Sequence, residues 1–343
     1  MQGMEIDDLV VRMHQGDRRA AARLITLAEN DIDAAREISE RIFTNTGKAY
    51  IIGVTGAPGV GKSSLVNQII QVLVENGSTV GVVCVDPTSP FSGGALLGDR
   101  IRMKEGYPEG QVFIRSMASR GKLGGIARAT KDTIAILDAF GFDYILVETV
   151  GVGQNEIDIY NTAYTTLLLL APGMGDEIQT FKAGIMETSD IYVVNKADHE
   201  DADRLVSEIE SMLDLADNVE FTHGDDHVIT VVQQQASTGW RAPVIKTNGL
   251  TGDGVEGLLD AVKKHRDYLN SSGEITARVR AKFRKEILDI LREKFAVHVE
   301  DALDMGKNGD LADLLDAIAA RQKNPYTVSD AIGRKVMDKF NQL

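Results

Sequence analysis

The chain has 343 residues, 43% of them hydrophobic and 26% charged, enough to bury a full core as one large domain with additions or as two domains. Its net charge of −14 excludes a broad affinity for nucleic acid or anionic membrane, because phosphate binding needs a basic surface; a local basic patch stays compatible with it. The single cysteine, Cys84, excludes an internal disulfide framework and any multi-cysteine metal site, and agrees with a reducing, cytoplasmic compartment.

The first twenty residues mix both charge signs and lack an apolar core region, so they do not read as a secretory signal. Apolar residues then recur at helical spacing, first Ile6, Leu9, Val10 and Met13, then Leu24, Ile25, Leu27 and Ala28. Gly16-Asp17 offers a break between helices in a leading segment that spans residues 1–45.

From Ala49 short β-branched runs alternate with helical patterns: YIIGVT (50–55), TVGVVCVD (79–86), QVFIRSM (111–117), DYILVET (143–149), TTLLLLA (165–171), DIYVVNK (190–196) and PVIKTN (243–248). These runs are continuously apolar, as strands covered on both faces require. Repeated strand–helix–strand units predict an α/β fold with a mostly parallel central sheet over residues 46–270, with ligands at the carboxyl ends of the strands. Cys84 falls inside one such run and reads as a packing thiol. The most apolar run, Thr165 to Ala171, is strand-sized, far short of the ~18 residues of a membrane span, so no span is expected. The stretch from Asp217 to Trp240 breaks the rhythm as an irregular insertion. Beyond about Tyr268 the pattern turns helical again, giving a C-terminal segment over 271–343 that is punctuated by Asn324-Pro325.

The sequence GAPGVGKS, Gly56-Ala57-Pro58-Gly59-Val60-Gly61-Lys62-Ser63, follows an apolar strand and opens a helical pattern with Ser64. That context makes it a Walker A phosphate loop, whose main-chain amides wrap phosphates at the positive end of the following helix. Lys62 is expected on the β- and γ-phosphates and Ser63 on Mg²⁺. Asp86, Asp99 and Glu148 follow at or just after strand ends. Magnesium takes hard oxygen ligands, so one or two of these acids are candidates to approach it directly or through water. Glu148 stands where a Walker B carboxylate is expected, and Gly151 is placed to meet the γ-phosphate.

The tetrapeptide Asn195-Lys196-Ala197-Asp198 ends another apolar strand. A carboxylate at Asp198 can accept from both N1–H and N2–H₂ of guanine, whereas adenine offers no such donor pair, a discrimination of several kcal/mol at most. Lys196 is expected to lay its stem along the base and Asn195 to brace neighbouring loops. Backbone groups of Asn248, Gly249 and Leu250, in TNGLTGDGV, are expected at the base edge. The ligand set is therefore GTP or GDP with Mg²⁺. No glutamine directly follows Gly151; Gln154 comes three residues later, so nothing is plainly placed to orient the attacking water. Intrinsic hydrolysis is expected to be weak and to depend on a partner or on dimerisation.

Four blocks carry a specific resemblance: GAPGVGKSSL, DPTSPFSGGALLGDRIRM, VETVGVGQNE and APGMGDEIQTFKAGIMETSDIYVVNKAD. They resemble the MeaB/ArgK family of G3E-type P-loop GTPases, strongly over about residues 45–270 and loosely at both helical ends. The resemblance implies a G-protein chaperone that gates cofactor loading into adenosylcobalamin-dependent methylmalonyl-CoA mutase and protects it from inactivation. It further implies that Asp86, Asp99 and Glu148 surround Mg²⁺, that 86–100 and 151–156 are the first two switches, and that 175–182 is a third, with Asp176, Gln179 and Lys182 as movers. The family's homodimerisation through a C-terminal helical arm would fall to the segment after Tyr268.

Other readings compete with this one. A metallochaperone GTPase needs Cys- and His-rich delivery motifs, against one cysteine and six scattered histidines here. An ATPase or kinase linked to amino-acid transport needs adenine binding, which the Asn-Lys-x-Asp motif opposes. His223, Asp225, Asp226 and His227 match no motif of the family; they suit a transition metal in principle and a solvated loop by default. The basic run Arg278, Arg280, Lys282, Arg284 and Lys285 reads as a charged helix face, a dimer contact or a site for an acidic partner.

Overall fold

The computed structural model describes residues 2–86, 107–118, 128–149, 159–173, 189–217, 239–304 and 310–340. They form two compact units, 1–275 and 276–343.

The first unit opens with three amphipathic helices, α1 (Gln2–His14), α2 (Arg18–Asn30) and α3 (Ile32–Ile42). Asp17 and Asp31 cap α2 and α3, each accepting two main-chain amides of the first turn that would otherwise lack partners. The buried stripe Ile6, Met13, Leu24, Ile25, Ile38 and Ile42 faces the domain. These helices join a continuous core with α5 (Arg128–Phe140) and one face of the sheet. Polar ties reinforce that seat: the Arg18 guanidinium donates to the Val112 carbonyl, and Arg115 pairs with Glu29 at 2.8 Å. Where the chain enters the sheet, the buried Asp138 carboxylate of α5 accepts the amides of Gly47, Lys48 and Ala49 at 2.5, 3.0 and 2.9 Å.

Seven described strands, β1 (Tyr50–Gly56), β2 (Val80–Asp86), β3 (Val112–Ala118), β4 (Tyr144–Thr149), β5 (Thr165–Leu170), β6 (Ile191–Val194) and β7 (Val244–Lys246), form one sheet in the order β3-β2-β4-β1-β5-β6-β7. Every described pairing in it is parallel. The continuous apolar runs follow from this arrangement, because alternate residues face opposite helical layers. Tyr50, Ile52 and Val54 of β1 enter one core with α4 (Lys62–Glu75), α6 (Ala202–Asp217) and α7 (Val255–Ser272), while Ile51 enters the core under α1–α3 and α5. From β1 the chain moves to β2 on one side, and from β4 it crosses to β5 on the other. This reversal leaves the binding crevice beside the carboxyl end of β1.

A buried polar network closes the opposite, amino end of the sheet. The Tyr50 hydroxyl meets Thr165 Oγ1 at 2.6 Å, Thr165 Oγ1 meets His265 Nδ1 at 2.8 Å, and His265 Nε2 lies 3.3 Å from Asp190 Oδ1. The Trp240 indole donates to the Asp190 carbonyl at 2.9 Å and packs on His265 with ring centroids 4.7 Å apart.

The second unit is helical, comprising α8 (Glu274–Asp304) from residue 276 onward, α9 (Asp310–Ala319) and α10 (Pro325–Phe340). Asn324 Oδ1 accepts the Thr327 amide at 2.9 Å and so caps α10, with Pro325 in its first turn, where a missing amide hydrogen costs nothing. Ile287, Leu288, Ile290 and Leu291 of α8 are exposed. No described helix is long and apolar enough to cross a membrane.

Candidate functional site: a nucleotide-binding crevice

The loop Gly56–Gly61 joins β1 to α4 at the carboxyl edge of the sheet. Two of its glycines are required by geometry. Gly56 has φ 144°, and a Cβ there would stand 2.3 Å from the Leu169 carbonyl oxygen of β5. Gly61 has φ 93°, and a Cβ there would meet Asn195 Nδ2 at 2.4 Å. Because Gly61 precedes α4 with no side-chain cap, the positive end of that helix is left facing the loop. The Lys62 side chain is buried, and its ammonium donates to the carbonyls of Gly56 and Ala57 at 2.6 and 2.8 Å. The loop's own backbone thus holds the cation in place, so little side-chain entropy is left to lose when an anion arrives.

β4 lies between β1 and β2, with Glu148 in register with Val54 on one side and Cys84 on the other. This brings the buried Glu148 carboxylate over the start of α4, where Ser63 Oγ donates to Oε1 at 2.5 Å and the Cys84 thiol lies 3.8 Å from Oε2. A hydroxyl and a carboxylate in contact beside a lysine are hard oxygen donors, a set that suits Mg²⁺. Asp86 ends β2 on the same edge of the sheet. Asp99, Gly151, Asp176, Gln179 and Lys182 lie outside the described residues, as do Gln154 and the 223–227 cluster.

The second half of the crevice forms where β6 and β7 end. Asn195 is 2% exposed and binds in three directions: its Nδ2 donates to the Val60 carbonyl at 2.8 Å, and its Oδ1 accepts from the Gly249 amide at 2.9 Å and the Thr247 hydroxyl at 3.2 Å. One carboxamide therefore ties the phosphate loop to the loop after β7. Lys196 takes φ 58°, a left-handed conformation that is uncommon for a side-chain-bearing residue and is characteristic of functional turns. Asp198 is exposed, and its Oδ1 accepts from Asn248 Nδ2 at 2.9 Å. Gly249 approaches α4 so closely that a Cβ would stand 3.0 Å from the Leu65 amide.

The sequence motifs placed Lys62, Ser63, Glu148, Asn195, Lys196, Asp198 and the 248–250 turn on separate elements, and the fold brings all of them to one edge of the sheet. The loop amides are arranged in a way not foreseen: Gly249 donates to Asn195, and Leu250 donates to Asn248 Oδ1 at 2.9 Å. Two further contacts escaped sequence reasoning, one at the Glu148 carboxylate and one on the flank of α4. The Cys84 thiol faces Glu148, a placement set by strand register. Tyr107, the first described residue after 106, donates from its half-buried hydroxyl to Asn67 Oδ1 of α4 at 2.7 Å, and burial raises its pKa. Neither residue belongs to a motif, so only the pairing of β2 with β4 and the packing against α4 reveal them.

Comparison with known proteins agrees with this geometry. Residues 21–304 match the family described as methylmalonyl Co-A mutase-associated GTPase MeaB. A putative GTPase of Pyrococcus abyssi is 46% identical over 97% of this chain and 97% of its own length. The mouse mitochondrial methylmalonic aciduria type A homolog is 31% identical over 85% of this chain and 71% of its own. A crystal structure of a LAO/AO transport system kinase shares the fold, with a TM-score of 0.62 at 22% identity and 97% coverage of both chains. With a phosphate loop, a magnesium-compatible pair and an Asn-Lys-x-Asp turn converging on one crevice, the chain belongs to the MeaB family of methylmalonyl-CoA mutase-associated GTPases and is itself a P-loop GTPase.

Proposed function

We propose that this GTPase serves an adenosylcobalamin-dependent methylmalonyl-CoA mutase as a G-protein chaperone, coupling GTP binding and hydrolysis to cofactor loading and to protection of the mutase. The observation that carries this reading is the match of residues 21–304 to a family described by its association with that mutase. The mouse relative, named for methylmalonic aciduria, supports it.

In this reading the amides of Gly59 to Ser64 hold the phosphates, and Lys62, fixed by the Gly56 and Ala57 carbonyls, neutralises charge that develops on the β- and γ-oxygens. Ser63, Glu148, Asp86 and Asp99 would hold Mg²⁺, which would supply Lewis-acid stabilisation of phosphate charge when bound. Asp198 reads the Watson–Crick edge of guanine, Lys196 packs along the base and Asn195 keeps the two halves of the crevice in register. Hydrolysis by the isolated protein is slow, because the chain has Gln154 three residues after Gly151 and no glutamine directly after it. The segment 175–182, with Asp176, Gln179 and Lys182, signals nucleotide state to the mutase. The exposed apolar residues Ile287, Leu288, Ile290 and Leu291 of α8 support a homodimer through the C-terminal arm. The lone cysteine supports a cytoplasmic setting.

The test is to mix the purified chain with cobalamin-loaded and cobalamin-free mutase and follow GTP hydrolysis and complex formation. Binding together with faster hydrolysis is expected. If the mutase neither binds nor accelerates hydrolysis, the chaperone assignment fails while the GTPase assignment stands.

A further inference from the structure

We infer that Asn248 is a positioning residue for base selection, acting through the carboxylate of Asp198. The inference rests on the reading of Asp198 as the group that recognises guanine. It adds that the aim of this exposed carboxylate is set by a buried carboxamide on a different element.

An aspartate χ2 torsion is broad and nearly two-fold, so an exposed carboxylate with no fixed neighbour samples many orientations. Guanine selection needs the opposite, two acceptor oxygens held still in the plane of the base. Asp198 cannot supply this alone, because it is exposed and follows the left-handed Lys196 in a turn. Asn248 is 9% exposed, and its Nδ2 donates to Asp198 Oδ1 at 2.9 Å.

The orientation of that carboxamide follows from its other contacts. Its Oδ1 accepts from the amides of Leu250 at 2.9 Å and Thr251 at 3.3 Å. Flipping the amide would set an NH₂ group against two N–H donors and a carbonyl oxygen against a carboxylate, so Nδ2 faces Asp198. The backbone of Asn248 is held as well, its amide donating to the Asp253 carbonyl at 2.9 Å and its carbonyl accepting from the Gly252 amide at 2.8 Å. The chain of constraint therefore runs from the turn backbone through Asn248 to Asp198. A carboxylate has about four lone-pair sites, and Asn248 takes one of them, which leaves enough for the N1–H and N2–H₂ donors of guanine.

Asn248 thereby does two separable things: its oxygen caps the turn and its nitrogen aims Asp198. The substitution Asn248→Asp keeps an acceptor for the Leu250 and Thr251 amides but loses the donor to Asp198; Asn248→Ala loses both. The experiment measures GDP and IDP affinities of the full-length chain, since IDP lacks the 2-amino group and forfeits one of the two hydrogen bonds to Asp198. Asp198→Ala is the reference and is expected to erase the preference for GDP. Both Asn248 variants are expected to lower the GDP-to-IDP affinity ratio about tenfold, mostly through weaker GDP binding. Charge repulsion in Asn248→Asp acts on Asp198 itself and lowers the ratio further, so Asn248→Ala, which adds no charge, is the variant whose ratio measures the lost donor alone.

If Asp198→Ala erases the preference while Asn248→Asp keeps the wild-type ratio, Asn248 only folds the turn and the inference falls. It falls likewise if Asn248→Ala weakens GDP and IDP by the same factor. If Asp198→Ala itself leaves the ratio unchanged, the base-reading role of Asp198 fails first, a result distinct from the other two.

Discussion

Replacing Asn195 with alanine tests whether one buried carboxamide holds the two halves of the crevice together. The truncation removes three hydrogen bonds, those to the Val60 carbonyl, the Gly249 amide and the Thr247 hydroxyl. The Thr247 hydroxyl can rotate to another acceptor and adds little to the cost. The two main-chain groups cannot move without shifting their loops, and each one left buried and unpaired costs about 1–3 kcal/mol. The side chain is 2% exposed, so water does not reach these groups in the native packing. The sum is ~2–6 kcal/mol, at the upper end of what single substitutions do. Urea unfolding of the nucleotide-free protein, read as a shift in midpoint at unchanged slope, measures it. The second expected effect is on binding: with the phosphate loop and the base turn uncoupled, GDP affinity should fall by more than inorganic pyrophosphate affinity, because only the former spans both halves. A destabilisation below about 0.5 kcal/mol, the range of an ordinary surface change, would refute the reasoning.

Three further predictions concern the scaffold. Asp138→Ala removes the acceptor for the Gly47, Lys48 and Ala49 amides and should cost ~2–4 kcal/mol in chemical denaturation, with Asp138→Asn less damaging because one carboxamide oxygen remains. His265→Ala strips partners from the buried Thr165 and Asp190 and should destabilise the chain by ~2–5 kcal/mol; Trp240, the sole tryptophan, reports the change directly as a red-shifted emission. An unshifted spectrum with unchanged stability would show that the network contributes nothing. Asp17 has its pKa lowered first by the Arg12 hydrogen bond and then by the Ala20 amide, so its contribution to stability is present above the ordinary carboxylate range and is lost as the pH falls through the depressed native value. Asp17→Asn keeps a cap acceptor without the titration, so the stability gap between wild type and variant should close on acidification, and a gap that stays constant would contradict this sign.

The strands were legible because β-branched, continuously apolar runs suit only a sheet covered on both faces, and all seven appear where those runs lie. The phosphate loop was legible for a local reason: glycines, a lysine and a hydroxyl spaced over eight residues between strand and helix have few other uses. Other features depend on where distant segments meet. Nothing local assigns Asp138 to the entry of β1, or His265 to Asp190, since these partners lie 91 to 75 residues apart along the chain. The expectation that 248–250 would face the base with its backbone was a motif argument, and it could not foresee that two of those amides are engaged by the side chains of Asn195 and Asn248.

Local chemistry thus determined which residues can grip a phosphate, approach a metal or accept from guanine, because hydrogen-bonding capacity and backbone freedom belong to the residue itself. The tertiary structure decided how these residues are held. Parallel pairing of β4 between β1 and β2 sets Glu148 against Ser63, and the ends of β6 and β7 set Asn195 between two loops and Asn248 against Asp198. Orientation is a property of contacts made across the fold, and only strand register and packing supply those contacts.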